Sequence, residues 1–324
     1  MSSDNSTIPL SVGFVGLGAM GRPMVANLAR KLPAGSRIYV HDVVPTVVEE
    51  LCTEFAGIVD KSDSAMNVAQ LSEIVITMLP EGSHVKLVHL DPESGIIAAK
   101  FADDKVIIDC STIDTTTSLS VKAALTAASP LLSFYDAPVS GGVLGAINAT
   151  MAFFLGCSHN DPNLHRLTAF LSLMGGKVIP CGGPSLGLAA KLSNNYLSGI
   201  ITVACAEAMD MGMRAGINAR TLASVFAAGT AQNTICDVFN PVPGVCPKAP
   251  SSNGYKNGFR VQLMRKDIGL AVDMARTVGA KNVLGISGLG VYAAASEASD
   301  CQDLDSRVVY RYLGGREDWE QEVD

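Results

Sequence analysis

Ser11-Val12-Gly13-Phe14-Val15-Gly16-Leu17-Gly18-Ala19-Met20-Gly21 decides how the rest of the chain is read. Ser11 to Val15 is a short apolar run of the kind that forms a buried strand. A Gly-x-Gly-x-x-Gly loop follows it, and Arg22-Pro23-Met24-Val25-Ala26-Asn27-Leu28-Ala29 continues in a helical pattern. Arg37-Ile38-Tyr39-Val40-His41-Asp42 is a second strand that ends in an acid. Strand, glycines, helix, strand and acid in that order make a dinucleotide-binding fingerprint. Gly16 permits the tight turn, Gly18 lets backbone approach a pyrophosphate, and Gly21 lets helix pack on strand. Leu17, Ala19 and Met20 complete the loop, and the helix N-terminus faces the phosphates. Asp42 stands where a carboxylate takes the adenosine ribose hydroxyls. It would repel a 2′-phosphate, which favours NAD over NADP, although Arg37 and His41 lie close by in sequence.

Alternation of strand and helix then continues. Glu73 to Met78 reads as a strand running into Leu79-Pro80, and Lys105 to Asp109 as another running into Cys110-Ser111-Thr112. Ligands sit beyond the carboxyl ends of strands in doubly wound sheets. Met78, Leu79, Pro80, Ser111 and Thr112 are therefore either walls of a nicotinamide pocket or ordinary loop residues. Phe134 to Val139 reads as one further strand, followed by Ser140-Gly141-Gly142. Those small residues form either an anion-binding nest of backbone N–H groups or a plain turn. Thr150 to Leu155 and Lys177 to Pro180 finish the sheet region, and no strand is expected after them. The expected architecture is α/β: a Rossmann-type doubly wound sheet, then an all-helical domain. The expected boundaries are a disordered tail over 1–10, a dinucleotide domain over 11–183 and a helical domain over 184–324. In the helical part, helices are expected over Arg220 to Ala227, from Gln262, over Val283 to Ala298 and over Asp305 to Leu313.

A long helix over 184–213 would join the two domains, with Pro184 and Ser185 at its start. It is apolar almost all round, which predicts burial. One stripe is polar: Lys191, Asn195, Ser198 and Thr202, spaced to share one face. A bare buried charge is costly, so Lys191 must meet something. It reads either as a group that takes a hydroxyl proton during hydride transfer or as a lysine snorkelling out of a domain boundary. Asn195, one turn on, could hold a substrate carboxylate or hydroxyl, and the Ser140-Gly141-Gly142 nest could hold the same carboxylate. Lys266 is a second cation, placed near a helix start, that could face the cofactor.

The totals narrow the class. A net charge of −7 argues against nucleic-acid and anionic-membrane surfaces. The eight cysteines have no paired or zinc-type spacing and read as reduced core thiols. None of the five histidines has a partner at ligand spacing. No apolar run is long enough to span a membrane.

Motif by motif, from about residue 11 to about residue 313, the chain resembles the β-hydroxyacid dehydrogenases. The resemblance is carried by Phe14 to Gly21 with Pro23-Met24 and Asn27, by Met78-Leu79-Pro80 and by Asp109 to Asp114. It continues through Asp136-Ala137-Pro138-Val139-Ser140-Gly141-Gly142, Lys191 with Asn194-Asn195, Asn240-Pro241-Val242-Pro243-Gly244-Val245, and Lys266-Asp267-Ile268-Gly269-Leu270-Ala271. It implies Lys191 as catalytic acid/base, and Ser140, Gly141, Gly142 and Asn195 on the substrate carboxylate. Lys266, Leu79, Pro80 and Thr112 would line the NAD site. The implied reaction is oxidation of 3-hydroxyisobutyrate to methylmalonate semialdehyde, a step of valine breakdown, with other small 3-hydroxy acids or semialdehydes as alternatives. A non-catalytic dinucleotide-binding module would require Lys191 or Asn195 to be lost, and both are present. Four positions depart from the family pattern: His84 for an asparagine beside the cofactor, Ala149 for a glycine, Val25 for a small residue and Cys110 for a serine. The resemblance also implies a homodimer or homotetramer. The first residues, without arginine and with an acid, read as cytoplasmic, whereas eukaryotic relatives imply the mitochondrial matrix.

Overall fold

The computed structural model describes residues 8–322. The first seven residues of the expected tail lie outside that range. The next three do not hang free: Pro9 is buried, and the Leu10 N–H donates to Glu73.

The chain order is β1 (Ser11–Val15), α1 (Gly21–Lys31), β2 (Arg37–His41), α2 (Pro45–Glu54), β3 (Val59–Lys61), α3 (Ala65–Leu71), β4 (Ile74–Thr77), α4 (Gly82–Leu90), β5 (Lys105–Asp109) and α5 (Thr115–Ala128). Then come β6 (Leu132–Asp136), β7 (Val139–Ser140), α6 (Gly142–Ile147), β8 (Met151–Leu155), α7 (Leu164–Leu171) and β9 (Gly175–Pro180). The rest is helical: α8 (Leu186–Arg214), α9 (Ala219–Ala228), α10 (Thr234–Val238), α11 (Val261–Thr277), α12 (Gly285–Glu297) and α13 (Val309–Tyr312).

Strands β1 to β6 form one parallel sheet in the order β3-β2-β1-β4-β5-β6. Both faces are buried, and alternate residues feed opposite cores. Val12, Phe14, Ile74, Ile76, Val106 and Ile108 enter one, while Val15, Val75, Ile107 and Phe134 enter the other. That is why these strands read as continuous apolar runs rather than alternating ones. The strand order reverses between β1 and β4, and such a switch point opens a crevice at the carboxyl ends of the strands.

Three sequence expectations are corrected. Phe134 to Val139 is not one strand: β6 ends at Asp136, and β7 begins at Val139 in a separate three-stranded sheet, β7-β8-β9. Pro138, lying between them, has no N–H for a ladder. The long helix begins at Leu186, since Ser185 has a left-handed φ of 63° and stands outside it. Nor is that helix buried all round, because Leu197 and Met211 are 59% and 70% exposed. Apolar composition states what a side chain prefers, not whether a neighbour is there to cover it.

The chain forms two compact units, one ending at Lys191 and the other beginning at Leu192, so α8 contributes to both. The second unit has its own core, including Val203, Met209, Tyr255, Ile268, Tyr292 and Tyr310. Among the described residues, no helix is long and apolar enough to cross a membrane.

Candidate active site

Within the first unit, the glycines of the loop differ in what surrounds them. Gly16 has a φ of 96°, and a Cβ there would overlap the Met78 carbonyl. A Cβ on Gly21 would overlap the Gly16 carbonyl oxygen. These two are fixed by the fold. A Cβ on Gly18 would meet nothing within 4 Å, so its backbone is left open to an incoming group. Helix α1 has no side-chain cap and no acid in its first turn, which suits a phosphate at its N-terminus.

Asp42 follows β2 directly, and its carboxylate fastens the glycine loop. Oδ2 accepts the Leu17 N–H at 2.6 Å, and Oδ1 accepts the Val44 N–H at 2.8 Å. The basic residues near it in sequence are engaged elsewhere. Arg37 lies at the far end of β2 and donates to Gly57, while His41 Nδ1 is 3.0 Å from the Ser62 carbonyl oxygen. An open Gly18, a bare helix N-terminus and a carboxylate at the end of β2 fit a dinucleotide.

The loops after β4 and β5 are tied together. The Leu79 N–H donates to Ser111 Oγ at 2.9 Å, and Ser111 Oγ donates to Asp109 Oδ1 at 2.5 Å. Thr77 Oγ1 also donates to that oxygen, at 2.8 Å. Met78, Leu79 and Thr112 are half-buried, Pro80 is exposed, and His84 is exposed on the first turn of α4. Ser140 is half-buried at the end of β7. Gly141 and Gly142, both with positive φ, turn the chain into α6 and are exposed. Ala149 has a φ of 51°, a backbone that suits glycine better than alanine.

Lys191 is 7% exposed and lies one turn inside α8. The start of that helix is held by a residue the sequence left without a role. Asp136, 1% exposed at the end of β6, accepts the Ser185 N–H on Oδ1 at 2.7 Å. Its Oδ2 accepts the Leu188 N–H at 2.8 Å. Burial raises the Asp136 carboxyl above its ordinary range, and these backbone donors act against that rise.

In the second unit Asn195 is 7% exposed, and its Nδ2 donates to Asp267 Oδ2 at 2.6 Å. Asp267 is itself buried, and its Oδ1 lies 3.3 Å from Lys266 Nζ. One amide hydrogen of Asn195 is thus committed to a carboxylate, which fixes the face the amide can offer. Further along, the polar stripe turns inward: Thr202 Oγ1 donates to the Ser198 carbonyl. Asn195 Oδ1 in turn accepts from Asn194 Nδ2 at 3.1 Å, so its amide is held on both sides.

The family model for the NAD-binding domain of 6-phosphogluconate dehydrogenase matches residues 11–183. A second, described as NAD-binding of NADP-dependent 3-hydroxyisobutyrate dehydrogenase, matches residues 186–313. The 3-hydroxyisobutyrate dehydrogenase of Pseudomonas aeruginosa is 37% identical over 94% of this chain and 99% of its own length. The chain belongs to the 3-hydroxyisobutyrate dehydrogenase family. It is an enzyme, an NAD-dependent hydroxyacid dehydrogenase. An NAD-dependent L-serine dehydrogenase of the same organism is 35% identical, over 87% of this chain and 90% of its own. Among solved structures, Mycobacterium tuberculosis 3-hydroxyisobutyrate dehydrogenase with L-serine has a TM-score of 0.84 and 35% identity. That match covers 94% of this chain and 98% of the other.

Proposed function

We propose that this family member oxidises 3-hydroxyisobutyrate to methylmalonate semialdehyde, a step of valine breakdown. The observation that carries the proposal is the place of Lys191. It lies one turn along a helix whose start is fastened to the carboxyl end of β6, the same edge of the parallel sheet that carries the glycine loop.

When bound, NAD accepts the hydride from C3 of the substrate. Gly16 to Gly21 with α1 would hold its pyrophosphate, and Asp42 its adenosine ribose. Met78, Leu79, Pro80, His84, Thr112 and Lys266 would line the cofactor site. The 3-hydroxyl proton passes to Lys191 Nζ as the C–H bond breaks, so the alcohol loses one hydride and one proton. A lysine in its neutral form can take that proton as a general base. Ser140, Gly141 and Gly142 would hold the substrate carboxylate through backbone N–H groups. Asn195 would supply the second amide hydrogen that Asp267 leaves to it.

L-serine is the second reading, because it is also a 3-hydroxy acid and is named in two of the related proteins. The test is NADH formation with 3-hydroxyisobutyrate, L-serine, glycerate and 4-hydroxybutyrate. A higher kcat/KM for 3-hydroxyisobutyrate supports the first reading and a higher value for L-serine the second, while silence with all four refutes both. A homodimer or homotetramer is proposed as the working form, and light scattering that gave a monomer would refute it.

A further inference from the structure

The two oxygens of Asp136 are spent on the start of α8, and the same residue begins the segment that leads to the substrate nest. We infer that Asp136 is a positioning residue: it sets where Lys191 stands relative to Ser140-Gly141-Gly142. The inference rests on Lys191 being the group that handles the proton.

The start of helix α8 is fastened from outside the helix. Ser185, just before it, donates its hydroxyl to the Thr115 carbonyl at 3.1 Å. The backbone N–H groups of Ser185 and Leu188 go to Asp136 instead, at 2.7 and 2.8 Å. A carboxylate from a strand therefore does the work that a cap residue usually does within its own helix. It also holds Ser185 in a left-handed conformation that a residue with a side chain rarely adopts.

The room for this clamp is made by two glycines. A Cβ on Gly156 would overlap Asp136 Oδ1, and a Cβ on Gly187 would overlap the Phe154 carbonyl oxygen. Gly156 also donates its N–H to the Asp136 carbonyl at 2.7 Å. Strand end, β8 and helix start thus meet backbone to backbone around one buried carboxylate. Leu188 is the anchored residue, and Lys191 lies three residues on, about 4.5 Å further along the axis. Ser140 lies four residues beyond Asp136 in the other direction along the chain. A shift of the helix start would move Lys191 and leave the nest where it is.

The test compares Asp136→Asn and Gly187→Ala with Lys191→Ala and the parent enzyme. Asparagine keeps the shape but turns an N–H toward a backbone N–H. Alanine at 187 pushes the helix off β8 with the carboxylate intact, so it serves should Asp136→Asn fail to fold. For both, kcat should fall about 100-fold, as for a displacement near 1 Å, with NADH Kd nearly unchanged. Amide hydrogen exchange should rise in the segment 185–191 and stay as in the parent over β1 and α1. Unchanged exchange at 185–191 in both variants overturns the inference. So does faster exchange with full kcat, which would leave Asp136 a merely structural anchor. Lys191→Ala separates the two levels. If it is inactive while Asp136→Asn and Gly187→Ala keep full kcat, positioning fails and the proton role of Lys191 stands. If Lys191→Ala itself turns over, the proton role fails directly and the positioning inference with it.

Discussion

Three glycines in one loop should fail in two different ways when given a methyl group. At Gly16, alanine must tolerate a φ of 96° and sits 3.1 Å from the Met78 carbonyl carbon, with its oxygen nearer still. At Gly21, the new Cβ lies 3.0 Å from both the Gly16 carbonyl carbon and Phe14 Cε1, again with the carbonyl oxygen nearer. Both substitutions press a new methyl against backbone, an overpacking that costs about 1–3 kcal/mol, and at Gly16 alone left-handed strain adds about 1–2 kcal/mol. In a chain of 324 residues each kcal/mol lowers Tm by roughly 1.5 °C, so these variants should melt roughly 2–7 °C below the parent. Gly18→Ala meets nothing within 4 Å and has no left-handed φ, so it should stay within about 0.5 kcal/mol of the parent. It should instead lose the close backbone approach to a pyrophosphate. A hydrogen bond to a charged group contributes about 1.5–3 kcal/mol, or a roughly 10- to 150-fold rise in Kd. Thermal unfolding of the free enzyme and an NADH fluorescence titration read the two effects separately. A Gly18→Ala enzyme that melts as early as Gly21→Ala, or binds NADH within twofold of the parent, would refute the reasoning.

Asp42→Ala removes the only proposed reader of the adenosine ribose, so the kcat/KM ratio of NAD to NADP should drop about tenfold or more; an unaltered ratio would count against that role. Asp267→Ala strands a buried amide hydrogen of Asn195, and kcat/KM should fall roughly 10- to 100-fold. Asp267→Asn, which can keep an acceptor, should lose less, and equal losses would contradict the bracing of Asn195. His89 is wholly buried beside Phe134, and burial lowers its pKa from the ordinary 6.5. Below pH 6.5 the unfolded chain therefore binds a proton that the folded one resists, so stability is full above that pH and falls as pH drops. His89→Gln should flatten the fall in Tm between about pH 6.5 and pH 5, and a parallel curve would contradict it.

The dinucleotide half of the molecule was legible because its signals are local. Strand, glycines, helix and acid occur in order within residues 11–42, and the fold itself requires glycine at Gly16 and Gly21. The short edge strand Val59–Lys61 was missed, since its three residues carry two charges and no periodicity. What escaped most completely were the braces. Asp136 reaches residues 49 and 52 positions away, and Asp267 reaches one 72 positions away. Both acids stood inside quoted motifs, yet only folding reveals whose N–H they accept. Helical spacing places Lys191 and Asn195 on one stripe with Ser198 and Thr202, and the family resemblance is what singles out the first two. Thr202 shares that spacing, but its hydroxyl turns back to the Ser198 backbone carbonyl, which spacing cannot foresee.

The account turns on Lys191 as the group that moves the proton. Lys191→Ala, assayed for NADH formation beside an NADH binding titration, tests it directly. Loss of a general base should lower kcat by about 10²–10⁴-fold while leaving NADH Kd close to that of the parent. Turnover near the parent rate would contradict the central claim, whatever the affinity for NADH.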